Sequence, residues 1–248
     1  MGVTQLHDVV YILCAGSATI LKFNATTHQR LTDINVKDLS FPWDIVACEQ
    51  TSQLYVADSR ECVRRVSADG ADIKLWWSKS LSDTFEPCTL SVTSTRLLMT
   101  SDVTSQLMQL DSDGKELRRV QLPDYVEPRH AVESPSGSLI VSHLNTQLEQ
   151  DQISEVNTAG EVLRQFSGSR LSSLGFTAHM AVDSHGNIFL ADSVNHHIVL
   201  LNAQLTPRRV IIDDHQLNYK LPWRLCYREQ TGQLLVGSDD SVAVFDVR

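Results

Sequence analysis

The chain has 248 residues, 42% of them hydrophobic and 21% charged, and a formal net charge of −9. Its length and apolar content support one large β domain or two small ones, and exclude a disordered or low-complexity chain. No apolar run approaches the roughly 18 residues that a membrane helix needs, and an acidic surface repels nucleic-acid phosphate and anionic lipid.

The opening, Met1-Gly2-Val3-Thr4-Gln5, has no basic stretch leading into an apolar one. No signal peptide is therefore expected, and the protein is read as intracellular and cytoplasmic. Leu6 stands where a myristoylation signal has Ser or Thr. So abrupt a start also fits the edge of a fragment. Five cysteines, Cys14, Cys48, Cys62, Cys88 and Cys226, are odd in number and form no CxxC pair. They are expected as small buried side chains in a reducing compartment, with neither a disulfide framework nor a zinc knuckle.

Along the chain a unit recurs. Val9-Val10-Tyr11-Ile12-Leu13 opens it, and Phe41-Pro42-Trp43-Asp44-Ile45 followed by Leu54-Tyr55-Val56-Ala57-Asp58 gives its fuller form. Glu86-Pro87-Cys88-Thr89, Glu127-Pro128-Arg129-His130, Phe176-Thr177-Ala178-His179 and Leu221-Pro222-Trp223-Arg224 begin the later copies, each before a short apolar run. The anchors Pro42, Pro87, Pro128, Thr177 and Pro222 stand 41 to 49 residues apart. A period of this size, made of short apolar runs between turn residues such as Ala68-Asp69-Gly70 and Asp111-Ser112-Asp113-Gly114, is that of propeller blades. No stretch keeps a 3.6-residue apolar period, so helix is expected to be minimal.

The expected fold is all-β: a six-bladed β-propeller of four-stranded antiparallel blades in one domain. The blades span approximately 1–38, 39–82, 83–123, 124–170, 171–216 and 217–248. In the second blade the strands are expected at 44–49, 53–57, 62–66 and 72–76, with the first lining the channel. The sixth unit stops at a third strand, 242–247. The two ends are expected to meet, residues 1–6 either completing the sixth blade or patching the first, since an open ring would expose sheet edges.

The fifth unit, Ala181-Val182-Asp183-Ser184-His185-Gly186-Asn187-Ile188-Phe189-Leu190-Ala191-Asp192-Ser193-Val194-Asn195-His196-His197-Ile198, resembles the NHL repeat, and Leu54-Tyr55-Val56-Ala57-Asp58-Ser59 resembles the same core. The match is specific over the fifth unit and rests on pattern and period elsewhere. The resemblance implies a six-bladed propeller used mostly as a binding platform, as in the C-terminal domain of tripartite-motif proteins, where it takes protein or RNA. The same fold also hosts a peptidylglycine amidating lyase and calcium-dependent lactonases, so fold alone does not decide function. Where the family has Gly two residues after the Pro, this chain has Asp44, Thr89, His130, His179 and Arg224.

Those departures define the candidate site: a ligand-binding rim of Trp43, Asp44, Arg129, His130, His179, Trp223 and Arg224, rich in the Trp and Arg of binding hot spots. The expected partner is a protein or peptide bound by a monomeric, non-catalytic propeller without a cofactor. RNA is the alternative ligand, stacking on the tryptophans but disfavoured by charge. A metal-dependent hydrolase or lyase is the alternative class, with His130, His179 and Asp44 as its ligands. Against it, the positions where the lyase carries zinc histidines hold Trp43, Cys88, Arg129, Ala178 and Trp223. Asp58 and Asp192 are read as acceptors of turn N–H groups, not as catalytic carboxylates. His196 and His197, adjacent in an extended segment, would face apart and share no ion. Trp76-Trp77 on an outer strand should leave at least one ring exposed. No GxSxG, HExxH, Walker A or GxGxxG motif is present.

Overall fold

The computed structural model describes residues 1–37, 39–59, 61–93, 96–166 and 178–247, and among these there is no helix. Each repeat folds as one antiparallel sheet of consecutive strands. The first sheet is β1 (Gly2–Leu6), β2 (Val9–Leu13), β3 (Thr19–Asn24) and β4 (Ile34–Asn35). The second is β5 (Pro42–Cys48), β6 (Gln53–Asp58), β7 (Cys62–Ser67) and β8 (Ile73–Ser78). The third is β9 (Thr89–Thr93), β10 (Arg96–Ser101), β11 (Gln106–Leu110) and β12 (Glu116–Gln121). The fourth is β13 (Val126–Glu133), β14 (Leu139–Asn145), β15 (Gln150–Val156) and β16 (Val162–Phe166). The fifth is β17 (Met180–Val182), β18 (Ile188–Asp192), β19 (His197–Leu201) and β20 (Pro207–Ile212). The sixth has three strands, β21 (Arg224–Arg228), β22 (Gln233–Gly237) and β23 (Val242–Asp246).

The first strands pack in a closed cycle, β1 on β5, β5 on β9, β9 on β13, β13 on β17, β17 on β21 and β21 back on β1. The protein is a six-bladed β-propeller. The anchor Thr177 and the boundary between the fourth and fifth units lie outside the described residues.

Second strands are apolar on both faces because blades cover both. Leu54, Tyr55, Val56 and Ala57 are all buried, as are Ile188, Phe189, Leu190 and Ala191. Burying one such large side chain contributes about 1.5–3 kcal/mol, so the stack, not the single sheet, carries the stability. The turns between third and fourth strands lean on the preceding blade. Gly70 approaches Ile34, Gly114 the Trp76 carbonyl and Gly160 the Gln121 carbonyl, each with φ between 77° and 86°. A left-handed backbone at close approach is a glycine position.

The ends meet as expected, and the structure selects between the two arrangements. β1 pairs with β2, so residues 2–6 are the inner strand of the first blade and not a strand of the sixth. The seam closes by side-chain packing of Val3, Val10, Ile12 and Ala25 against Leu235.

Several local expectations are corrected. Trp76 and Trp77 are both half-buried. Val63 pairs with Trp77 and Arg64 with Leu75, so Trp76 is the extra residue of a β-bulge and turns inward beside its neighbour. Trp76 packs on Tyr55 at 4.7 Å and donates its Nε1–H to the Ser112 carbonyl, while Trp77 meets Phe85 edge-on at 6.0 Å. Of the cysteines only Cys48 is fully buried; the other four are half-buried, and none of the five is in a disulfide. His196 is not extended but sits in a turn at φ 55°, ahead of His197 in β19.

Candidate functional site

Register places six residues at one level around the channel. Asp44 faces Ala57, Thr89 faces Thr100, His130 faces Ser142, Arg224 faces Gly237 and Gly2 faces Leu13. His179 joins them through its carbonyl, which accepts the Ala191 N–H. Five carry side chains, and these form a hydrogen-bonded belt across the channel.

The belt repeats one device. Asp44 Oδ2 accepts the N–H of Leu90 at 2.9 Å, His130 Nδ1 that of Met180 at 3.2 Å, and His179 Nδ1 that of Leu225 at 3.2 Å. Each time a side chain of one blade receives the backbone N–H just past the belt position of the next. Thr89 instead donates its hydroxyl to the Arg129 carbonyl at 2.9 Å. Arg224 crosses the first blade, where Gly2 offers no side chain, to reach Asp44 Oδ1 at 3.0 Å and the Trp43 carbonyl at 3.2 Å. The Asp44–Arg224 ion pair is therefore buried, and its remaining polar atoms are engaged on backbone groups, as such pairs require.

The two imidazoles stack at 3.7 Å between centroids. Burial pushes His130 down to about 4 and His179 well below its ordinary value, so both are neutral at neutral pH. A neutral imidazole has one lone pair, and a backbone N–H takes it in both residues. His130 Nε2–H then points to the Leu90 carbonyl at 3.3 Å. Neither ring keeps a lone pair for a cation, and among the described residues no three metal-ligating side chains gather.

Of the expected rim, Asp44, His130, His179 and Arg224 are thus buried in the belt, Asp44 at 1% exposure and His130 at 2%. Trp43, Arg129 and Trp223 stand above it. They line a mouth cavity of about 830 Å³ that the belt floors. A second cavity, of about 310 Å³, lies on the far side of the same two histidines. Bulges aim two of the three residues. Pro42 faces Asp58 and Asp44 faces Ala57, so Trp43 is the extra residue of a bulge, and Arg129 stands likewise between Pro128 and His130. The proline just ahead of each bulge has no N–H for the ladder, and the extra residue turns into the mouth.

Trp43 is 38% exposed and meets Phe41 edge-on at 5.1 Å. Trp223 donates its Nε1–H to Asp239, and Arg129 pairs with Glu127 at 2.9 Å. Phe41, Glu127, Asp239 and Asp102 also belong to the mouth or its lip and were not singled out by sequence. Phe41 and Glu127 each stand three residues ahead of the belt position, directly before the proline, so the repeat could have found them; Asp102 and Asp239 follow it by 13 and 15 residues. Gly2 was hidden because the hairpin between β1 and β2 is two residues shorter than that between β5 and β6, so aligning Tyr11 with Tyr55 leaves no residue opposite Asp44.

Asp58 caps the entry to its own blade: it accepts the N–H groups of Ser40 at 3.1 Å and Phe41 at 2.7 Å, ahead of the inner strand and not in the following turn. Asp192 does serve the following turn, through Asn195 N–H at 3.1 Å.

No family model matches this sequence, and no curated protein does.

Proposed function

We propose that this propeller is a non-catalytic binding module, with the channel mouth as its docking site for a protein or peptide segment. The observation that carries the reading is the mouth cavity of about 830 Å³, lined by Trp43, Trp223 and Arg129 above the side chains of the belt, with exposed Phe41 edge-on to Trp43. Large rings with a guanidinium in a concave site are the composition of binding hot spots. The resemblance of the fifth unit to NHL repeats, used as platforms in an intracellular setting, supports the same reading.

Two alternatives are weaker. RNA would stack on the tryptophans, but Glu127, Asp102 and Asp239 surround them and the chain carries −9. A metal-dependent hydrolase or lyase would need the imidazole lone pairs that backbone N–H groups occupy.

The test is peptide-display selection against the native protein, with enriched peptides measured on Trp43→Ala and Arg129→Ala. Loss of binding to both variants supports the mouth; unchanged binding moves the site elsewhere. Arg224→Ala is unsuited, since it breaks the belt. Filter binding of random single-stranded RNA at low salt covers the first alternative, and metal analysis of the purified protein the second.

A further inference from the structure

The two tryptophans of the mouth belong to blades that are not neighbours. Trp43 is in β5 of the second blade and Trp223 just ahead of β21 of the sixth, with β1 of the first blade packed between those strands. Strand pairing within the sheets therefore does not set the separation of the two rings.

One side chain ties them. The Arg224 guanidinium donates through Nη1 to the Trp223 carbonyl at 2.9 Å and through Nη2 to the Trp43 carbonyl at 3.2 Å. Its Nε–H goes to Asp44 Oδ1 at 3.0 Å, and the Asp44 carboxylate is itself fixed by the N–H groups of Ile45 and Leu90. A guanidinium is planar and its donors form a rigid fork, so two carbonyls on one fork are held at a set spacing. Trp43 is the extra residue of a bulge, where the ladder is locally disrupted, and an anchor from outside the sheet matters most there. The third side chain of the mouth follows the same rule on a smaller scale: the Arg129 carbonyl accepts the Thr89 hydroxyl at 2.9 Å. Donors of the belt thus hold the backbone of Trp43, Arg129 and Trp223 alike.

We propose that Arg224 is the positioning residue of the channel mouth: by holding both tryptophan carbonyls it fixes the spacing of the two indoles that a ligand meets. The inference rests on the mouth being the docking site, although the geometry concerned exists before any ligand arrives. A lysine at this position would keep a charge opposite Asp44, but its ammonium is a point donor on a flexible stem and cannot hold two carbonyls in one plane. An asparagine at position 44 does the reverse: it removes the counter-charge and leaves the fork on both carbonyls. The two substitutions separate positioning from stability.

The experiment labels the 248-residue protein with 5-fluorotryptophan and records fluorine resonances, one for each of its four tryptophans. Trp43→Phe and Trp223→Phe assign the two that matter. In Arg224→Lys the Trp43 and Trp223 resonances are expected to shift or broaden, while those of Trp76 and Trp77 stay in place. In Asp44→Asn all four should stay nearer their native positions, even as the urea midpoint falls. The peptide most enriched by display against the native protein should bind Arg224→Lys about tenfold more weakly, because the lip must then be ordered on binding, and Asp44→Asn should weaken it less. Unmoved Trp43 and Trp223 resonances in Arg224→Lys overturn the proposal. So do shifts of all four resonances, or shifts that follow the loss of stability in both variants. A selection that yields no peptide dependent on Trp43 removes the docking reading instead, and the fluorine result alone then decides the positioning.

Discussion

Arg224 and Asp44 lie 180 residues apart and meet at 3.0 Å across the channel, joining the sixth blade to the second over the top of Gly2. Among the described residues, no other side-chain hydrogen bond of the belt spans a whole blade. The contact ties the two ends of the repeat array to each other with one charged hydrogen bond, inside a site that water scarcely reaches.

Breaking that pair from one side should be costly. Asp44→Ala leaves a buried guanidinium without its counter-charge and the Leu90 N–H without its acceptor, a loss of about 3–5 kcal/mol. Asp44→Asn, which can still accept from Leu90, should cost less. The double variant Asp44→Ala with Arg224→Met should recover a large part of the loss, since it removes both charges together. Urea unfolding midpoints of these variants, of Arg224→Met alone and of the unchanged protein measure this; a double variant as unstable as the sum of Asp44→Ala and Arg224→Met would contradict it.

Acid should destabilise the fold through its buried histidines. Burial pushes His130 and His143 down to about 4, and His179 well below its ordinary 6.5. The unfolded chain therefore takes up protons near 6.5 while the folded one does not. Stability is complete above that value and falls as pH drops from 6.5 toward 4, by about 1.4 kcal/mol per pH unit for each histidine. Protonating either belt histidine would also force a donor against a backbone N–H. Thermal midpoints between pH 8 and pH 4 test this, and His143→Gln should flatten the slope by roughly one part in three.

A separate acid step belongs to the surface. Arg119 grips both oxygens of Asp83, at 2.9 and 2.8 Å, and this hydrogen bonding, more than simple charge attraction, holds the Asp83 carboxyl down to about 2. A depressed carboxylate stabilises the fold above pH 3.8 and loses that contribution as pH falls toward 2. Because the pair is partly in solvent, Arg119→Ala should cost only about 1 kcal/mol at neutral pH. High salt should shrink the difference, and its persistence at 1 M salt would show that packing of Arg119 on Phe85 is the larger effect.

Glycines of similar turn sequence should differ in tolerance. At Gly160 an added Cβ would collide with the Gln121 carbonyl, and φ is 86°. At Gly137 φ is 84°, yet nothing lies within 4 Å. Gly137→Ala should cost about 1 kcal/mol for backbone strain alone, and Gly160→Ala several times that, because the fourth blade must move off the third. Comparable melting shifts for the two would remove the packing argument.

The blade number, the all-β class and the strand order were legible because the repeat is written in apolar runs and turn residues. Leu54-Tyr55-Val56 and Ile188-Phe189-Leu190 announce strands buried on both faces. What the sequence hid depends on one-residue shifts. The alternation of side chains puts one of Trp76 and Trp77 outside, and a bulge reverses that. The same kind of shift separates Trp43 from Asp44: neighbours in sequence, one opens into the mouth and the other is sealed in the belt. Pattern could locate the level at which Asp44, Thr89, His130, His179 and Arg224 stand. It could not tell a rim from a floor, because that depends on whether each side chain finds a backbone partner in the next blade.

Every sheet is formed from one unbroken stretch of chain, so nearly all strand pairing is between neighbours in sequence. Such contacts close short loops and form quickly. Joining the first blade to the sixth is different: it brings together segments from opposite ends of the polypeptide. The ring therefore has one slow, entropically expensive step, in which Val3 meets Leu235 and Arg224 finds Asp44. Until then the chain is a curved row of blades with two sticky ends, and its window of vulnerability to association with other chains is the waiting time for that single encounter.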